Sequence, residues 1–103
     1  MNCSRNDVVL LPIPFTDLTS RKVRPAIIIG RSGADLFLVP LSSVLANTDF
    51  SLKEWSAAGL NVPSGVKAQL ATVEERLVVK IVGATGCCDV QSLEERLRTW
   101  LKL

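Results

Sequence analysis

Few groups in this chain of 103 residues are equipped for chemistry. There is no histidine, which excludes a Ser-His-Asp triad, a Cys-His pair, imidazole acid/base catalysis and any zinc site containing His. The three thiols, Cys3, Cys87 and Cys88, are too few for a four-thiolate site and lack CxxC spacing. An odd count with an adjacent pair suits a reducing compartment, and Cys87-Cys88 reads as two small apolar residues before a C-terminal helix. No GxGxxG or GxxxxGK[ST] phosphate-binding run occurs. What remains is the chemistry of Arg, Lys, carboxylates and hydroxyls, and the cations are unevenly spread. Residues 1–32 carry Arg5, Arg21, Lys22, Arg24 and Arg31 against Asp7 and Asp17, a local balance of +3, whereas the whole chain is only +2. A cluster of this kind is either a solvated turn or the footprint of a polyanion partner.

The elements that must position these groups are short. Val8-Val9-Leu10-Leu11-Pro12-Ile13-Pro14-Phe15 is a β-branched and aliphatic run whose prolines suit an edge or a strand end. Turn-forming Thr16 to Ser20 and basic Arg21 to Arg24 lead into Pro25 to Gly30, a strand apolar on both faces. A short Ser32-Gly33-Ala34-Asp35 connection precedes a third strand, Leu36 to Leu41. Phe50 to Lys53 reads as a short half-exposed strand, and Glu54 to Pro63 as irregular. Val66 to Thr72 and Leu77 to Val82 read as further strands, with a turn or one helical turn at Val73 to Arg76. Val90, Leu93, Leu97, Trp100 and Leu101 then fall at helical spacing, with Asp89 as the expected N-cap and Glu94–Arg98 as an i,i+4 pair. Trp100 is expected to pack under the helix; Trp55 could pack or stack on a base. Five to six mostly antiparallel strands followed by one helix predict a single mainly β domain, a small barrel closed by a C-terminal α-helix. The longest uncharged stretch, Leu36 to Thr48, has 13 residues, short of a membrane span, and Asp7 interrupts any signal-peptide core. The expected location is the cytoplasm.

Several stretches together resemble the PemK/MazF family of toxin endoribonucleases. They are Asp7 to Leu18, Lys22-Val23-Arg24-Pro25-Ala26, the third strand with its Pro40-Leu41-Ser42-Ser43 end, Leu60-Asn61-Val62-Pro63-Ser64, and Gln69 to Leu77. The resemblance implies an SH3-like barrel that dimerises and cuts single-stranded RNA, often messenger RNA, at a short motif. It implies no metal or other cofactor, 2′,3′-cyclic phosphate and 5′-hydroxyl ends, and a cognate antitoxin with an acidic, apolar tail. Carried over residue by residue, the catalytic pair becomes Arg24 and Ser42, with Ser42 standing where the family has Thr. Thr16, Arg21, Lys22, Ser43, Gln69 and Thr72 become substrate-binding candidates, and Thr16 to Val23 a lid over the RNA. Many relatives have an acid before that Gln and a basic residue before that Thr; Ala68 and Ala71 stand there here.

The chemistry fits the available groups. RNA brings its own nucleophile, the 2′-hydroxyl, so a protein has mainly to align the strand and stabilise a dianionic phosphorane. A guanidinium is planar, permanently charged and forked to match two phosphate oxygens, and a serine hydroxyl adds another donor. Arginine is a poor base at neutral pH, so Arg24 would act first as electrostatic stabiliser and second as proton donor to the leaving 5′-oxygen. Two other readings compete: a non-catalytic SH3-like binding module, and a gyrase-poisoning toxin of the same fold. The second of these families ends in Trp-Gly-Ile, and this chain ends Trp100-Leu101-Lys102-Leu103. On the RNA reading, neutralising Arg21 and Lys22 together weakens RNA binding and flattens its salt dependence by about 0.7 per charge. Unchanged binding and slope in a salt titration would remove the lid.

Overall fold

The computed structural model describes residues 2–12 and 22–103. Among the described residues there are seven strands: β1 (Asp7–Pro12), β2 (Val23–Ser32), β3 (Asp35–Ser42), β4 (Phe50–Ser51), β5 (Gly65–Val66), β6 (Ala71–Glu74) and β7 (Lys80–Ala84). Short 3₁₀ turns occupy Leu45–Asn47 and Glu75–Leu77, and one helix, α1, covers Cys87–Leu101. The fold is mainly β with a C-terminal helix. Every strand pairing is antiparallel, in the order β4-β5-β3-β2-β1-β7, with β6 also on β3. Among the described residues these pairings leave β4 and β7 as ends and do not close a ring.

β3 organises the sheet. One edge pairs with β2, from Ala26↔Pro40 to Ser32↔Asp35. The other edge changes partner, taking β6 along Asp35 to Leu38 and β5 along Leu41 and Ser42. The Pro40 carbonyl accepts the Lys67 N–H at 3.0 Å on that second edge. Its missing N–H therefore faces the gap between β5 and β6, where no ladder bond is lost. This change of partner is why the stretch from Val66 to Thr72 is two strands instead of one, giving seven where six segments were expected.

Alternation along β1, β2 and β3 sends apolar side chains to both faces. Val9, Leu11, Ala26, Ile28, Leu36 and Leu38 form one buried cluster with Cys3 and Val78, and Ala71 and Val73 of β6 and Ile81 of β7 pack against it. Val8, Ile27, Val39, Leu41 and Val66 form a second cluster, covered by Leu93 of α1 and by Leu52 and Ala58 of the loop before β5. Burying each such aliphatic side chain contributes about 1.5–3 kcal/mol. One residue of register slip would exchange the two sets, so the register is strongly specified.

The helix starts earlier than its pattern suggested. Gly86, not Asp89, is the N-cap, and Asp89 sits in the first turn with its carboxylate directed into the protein. The expected Glu94–Arg98 pair is absent among the described residues; Glu94 meets Arg5 at 3.5 Å, because the N-terminal segment runs beside the helix. Trp100 packs against the second cluster as expected, and its Nε1 donates to Asp49 Oδ2 at 2.8 Å. Trp55 also packs on that cluster. Among the described residues no helix is long and apolar enough to cross a membrane.

The Arg31–Glu75 ion pair ties the start of the N-terminal segment to the sheet. Arg31 donates to both carboxylate oxygens of Glu75, at 2.9 and 3.1 Å, and to the Cys3 carbonyl at 2.9 Å. The Cys3 N–H donates to Glu75 Oε2 at 2.9 Å. The Arg31 guanidinium, followed by the Cys3 N–H, holds the Glu75 carboxyl down at about 2. Burial, with the Glu75 charge next, pushes the Cys3 thiol up. A carboxyl held below its usual value stabilises the fold above that usual value, and the stabilisation fades as pH falls through the folded one. Glu75→Gln is accordingly expected to melt a few degrees below the wild type at neutral pH, with the two melting curves converging as pH drops from about 4.5 towards 2. Thermal unfolding across that range measures it, and a constant gap would contradict the assignment.

Candidate functional site

β2 begins and β3 ends at the same end of the sheet. Continuing the Ala26↔Pro40 register by two places on each strand brings Arg24 opposite Ser42. Arg24 is held extended by its place before Pro25 and pairs in register with Leu11 of β1. The two residues open on one cavity of about 260 Å³, also lined by Leu10, Pro25, Ser43 and the loop residues Leu60 and Asn61. That volume lies under the about 300–1,000 Å³ of pockets for drug-sized ligands, and suits one portion of a longer molecule.

The polar groups divide between two walls. On the strand side, Arg24 and Ser43 are exposed and Ser42 is half-buried. Among the described residues the Arg24 guanidinium has no hydrogen-bond or ion-pair partner, in contrast to Arg31, Arg76 and Arg96, which meet Glu75, Glu74 and Asp49. The Ser42 Oγ accepts the Val44 N–H at 3.1 Å, which fixes the side chain at the strand end and leaves its O–H to donate outward. An unpaired guanidinium beside two hydroxyl donors is an arrangement for an oxyanion such as a phosphate. Among the described residues no carboxylate lines this pocket, so the groups present stabilise negative charge better than they generate a nucleophile.

The other wall is the loop from Glu54 to Ser64, which contains the irregular stretch Glu54 to Pro63. It is fastened at both ends. The buried Asp89 carboxylate accepts the N–H groups of Lys53 and Glu54, each at 2.9 Å, clamping the loop start to α1. Leu52 N–H donates to the Ser64 carbonyl at 2.9 Å, and Ser64 Oγ donates to the Val62 carbonyl at 3.0 Å, closing the far end. In between, Gly59 lies against β7 at the Val82 bulge. A Cβ on Gly59 would collide with the Val82 carbonyl, and one on Gly83 with the Ala58 carbonyl. Gly59 also has a φ of 93°.

The remaining candidates fall elsewhere. Lys22 is exposed, two residues before Arg24. Thr16, Arg21 and most of the expected lid lie outside the described residues. Thr72 lines a different pocket, with Ile29, Phe37, Leu70 and Ala71, and shares no lining residue with Arg24. Gln69 is exposed in the connection between β5 and β6, its N–H on the Lys67 carbonyl at 2.8 Å. The structure therefore brings Arg24, Ser42 and Ser43 together and leaves Gln69 and Thr72 apart from them within this chain. It adds Asn61, which the sequence carried in the Leu60 to Ser64 stretch without marking it as part of a site. No three His, Cys, Asp or Glu side chains gather into a metal-sized cluster among the described residues. No protein-family model matches the chain, and a search of curated proteins returns no match.

The Asp89 clamp yields a stability series. Asp89→Ala leaves two part-buried N–H groups without their acceptor and is expected to cost about 2–6 kcal/mol in urea unfolding, at about 1–3 kcal/mol for each orphaned group. Asp89→Asn keeps one acceptor oxygen and should lose about half as much. Equal losses from the two variants would show that the bonds to Lys53 and Glu54 do not hold the loop.

Proposed function

We propose that this chain is a ribonuclease that cleaves single-stranded RNA by transesterification, as the toxin half of a type II toxin–antitoxin pair. The observation that carries the reading is the Arg24 guanidinium, without a partner among the described residues and set beside Ser42 and Ser43 in one pocket at the end of the sheet. The family resemblance had singled out Arg24 and Ser42 from residues 18 positions apart, and an oxyanion site is what the chemistry requires of them.

In the proposed reaction the scissile phosphate lies against Arg24, which donates to its non-bridging oxygens, while Ser42 donates from the strand end. The substrate's 2′-oxygen attacks phosphorus and releases its proton to solvent. The bond to the 5′-oxygen then breaks, and that oxygen takes a proton, for which Arg24 is the nearest donor. The products are a 2′,3′-cyclic phosphate and a free 5′-hydroxyl. The step uses no metal or other cofactor. On the same reading the chain acts as a homodimer in the cytoplasm, and an antitoxin with an acidic, apolar tail silences it by covering the cationic pocket.

The test is cleavage of a long, weakly structured RNA in excess EDTA, with the product ends identified. Cyclic-phosphate and 5′-hydroxyl ends are expected from the wild type. Arg24→Ala should lower the rate on the order of 10²–10³-fold, and Ser42→Ala about tenfold. Intact RNA after incubation with folded protein would overturn the catalytic reading in favour of a binding module.

A further inference from the structure

The two walls of the Arg24 pocket differ in a way that phosphate chemistry does not use. The strand wall supplies a cation and hydroxyls. The loop wall supplies Leu60 and Val62, with Val62 about half exposed, and Asn61 between them. Ser64, the other polar lining residue of that wall, already spends its hydroxyl on the Val62 carbonyl. Among the described residues the Asn61 side chain has no hydrogen-bond partner, and it is exposed at the cavity. An apolar surface carrying one free amide has the chemical character of a base-binding surface. Base faces are apolar, base edges hold donors and acceptors, and an amide offers one of each.

We propose that the loop wall reads the base beside the scissile phosphate, with Asn61 as the specificity-determining residue; this rests on Arg24 holding that phosphate. Discrimination requires a reading group on a fixed support, since a mobile amide can turn over and satisfy any base. The Gly59–Gly83 backbone contact and the Ser64 bonds flank Asn61 on either side and provide that support, while the Asp89 clamp holds the start of the loop. Leu10 and Pro25, paired across β1 and β2, form the apolar floor on which the base would lie. The assignment also says which edge matters. A carboxylate in place of the amide offers acceptors only, and guanine alone presents two adjacent donors, N1–H and N2–H.

A short single-stranded RNA randomised at its centre tests this in excess EDTA, with the cut ends and the bound, uncut fraction both sequenced. The wild type is expected to prefer one base at a position adjoining the cut. Asn61→Ala should reduce that preference between about 5- and 150-fold, the range for one well-made amide–base contact, and leave preferences at other positions unchanged. Asn61→Asp should move the preference towards guanine. Wild-type base preferences in both variants would overturn the assignment, as would a change spread evenly over all positions. If the wild type leaves every RNA uncut, the nuclease reading falls, and the bound fraction decides the inference. A base preference that Asn61→Ala erases sustains the loop wall as a base reader; bound RNA of equal composition for the two proteins overturns it.

Discussion

The antiparallel register of β2 against β3 is the constraint on which the rest of this molecule depends. Both strands are buried on two faces, Ile28 and Leu38 towards one cluster and Ile27 and Val39 towards the other. A slip of one residue would trade two complete sets of aliphatic contacts for misfits, so hydrophobic burial locks the alignment more firmly than any ladder bond could. That same alignment fixes which residues emerge together where the pairing stops. Arg24 and Ser42 become neighbours because Ala26 and Pro40 are partners, two residues further in.

Around this axis, polar interactions act as fasteners. Glu75 and Arg31 secure the N-terminal segment over the first cluster, and Asp89 secures the loop start to the helix. Each carboxylate is consumed by several donors at once, which is how a charged group is accommodated at a packed position. Arg24 is the contrast. It stands at the rim of a pocket without a counter-charge among the described residues. On the proposed reading, that open guanidinium is the group that receives the phosphate.

The pocket is assembled from pieces with different physical origins. The strand wall is a by-product of the sheet and is as rigid as the sheet. The loop wall has no regular structure of its own and takes its shape from α1 and β7, through Asp89 and the Gly59–Gly83 contact. A sheet end changes little without loss of the fold, whereas a loop wall can change residue by residue. On the proposed reading, the chemistry common to many substrates falls to the first wall and selection among substrates to the second.

The sequence by itself determined the β-rich architecture, the turn near Gly33, the C-terminal helix and the placement of Arg24 and Ser42 at strand ends. Those features follow from local alternation, breakers and helical spacing, which act over a few residues. Only the tertiary structure decided the rest. Asp89 looked like a helix cap because a cap and a first-turn residue have the same local signature; its acceptors instead serve Lys53 and Glu54, about 35 positions away. The stretch from Val66 to Thr72 reads as one strand until β3, with Pro40 in it, offers two partners. Asn61 is an unremarked residue in an irregular segment until Gly59 seats that segment on β7. Gln69 and Thr72 belong to the same resemblance as Arg24, yet the sheet places Thr72 at another pocket. Local patterns dictate what each segment becomes, and burial between distant segments dictates which side chains meet.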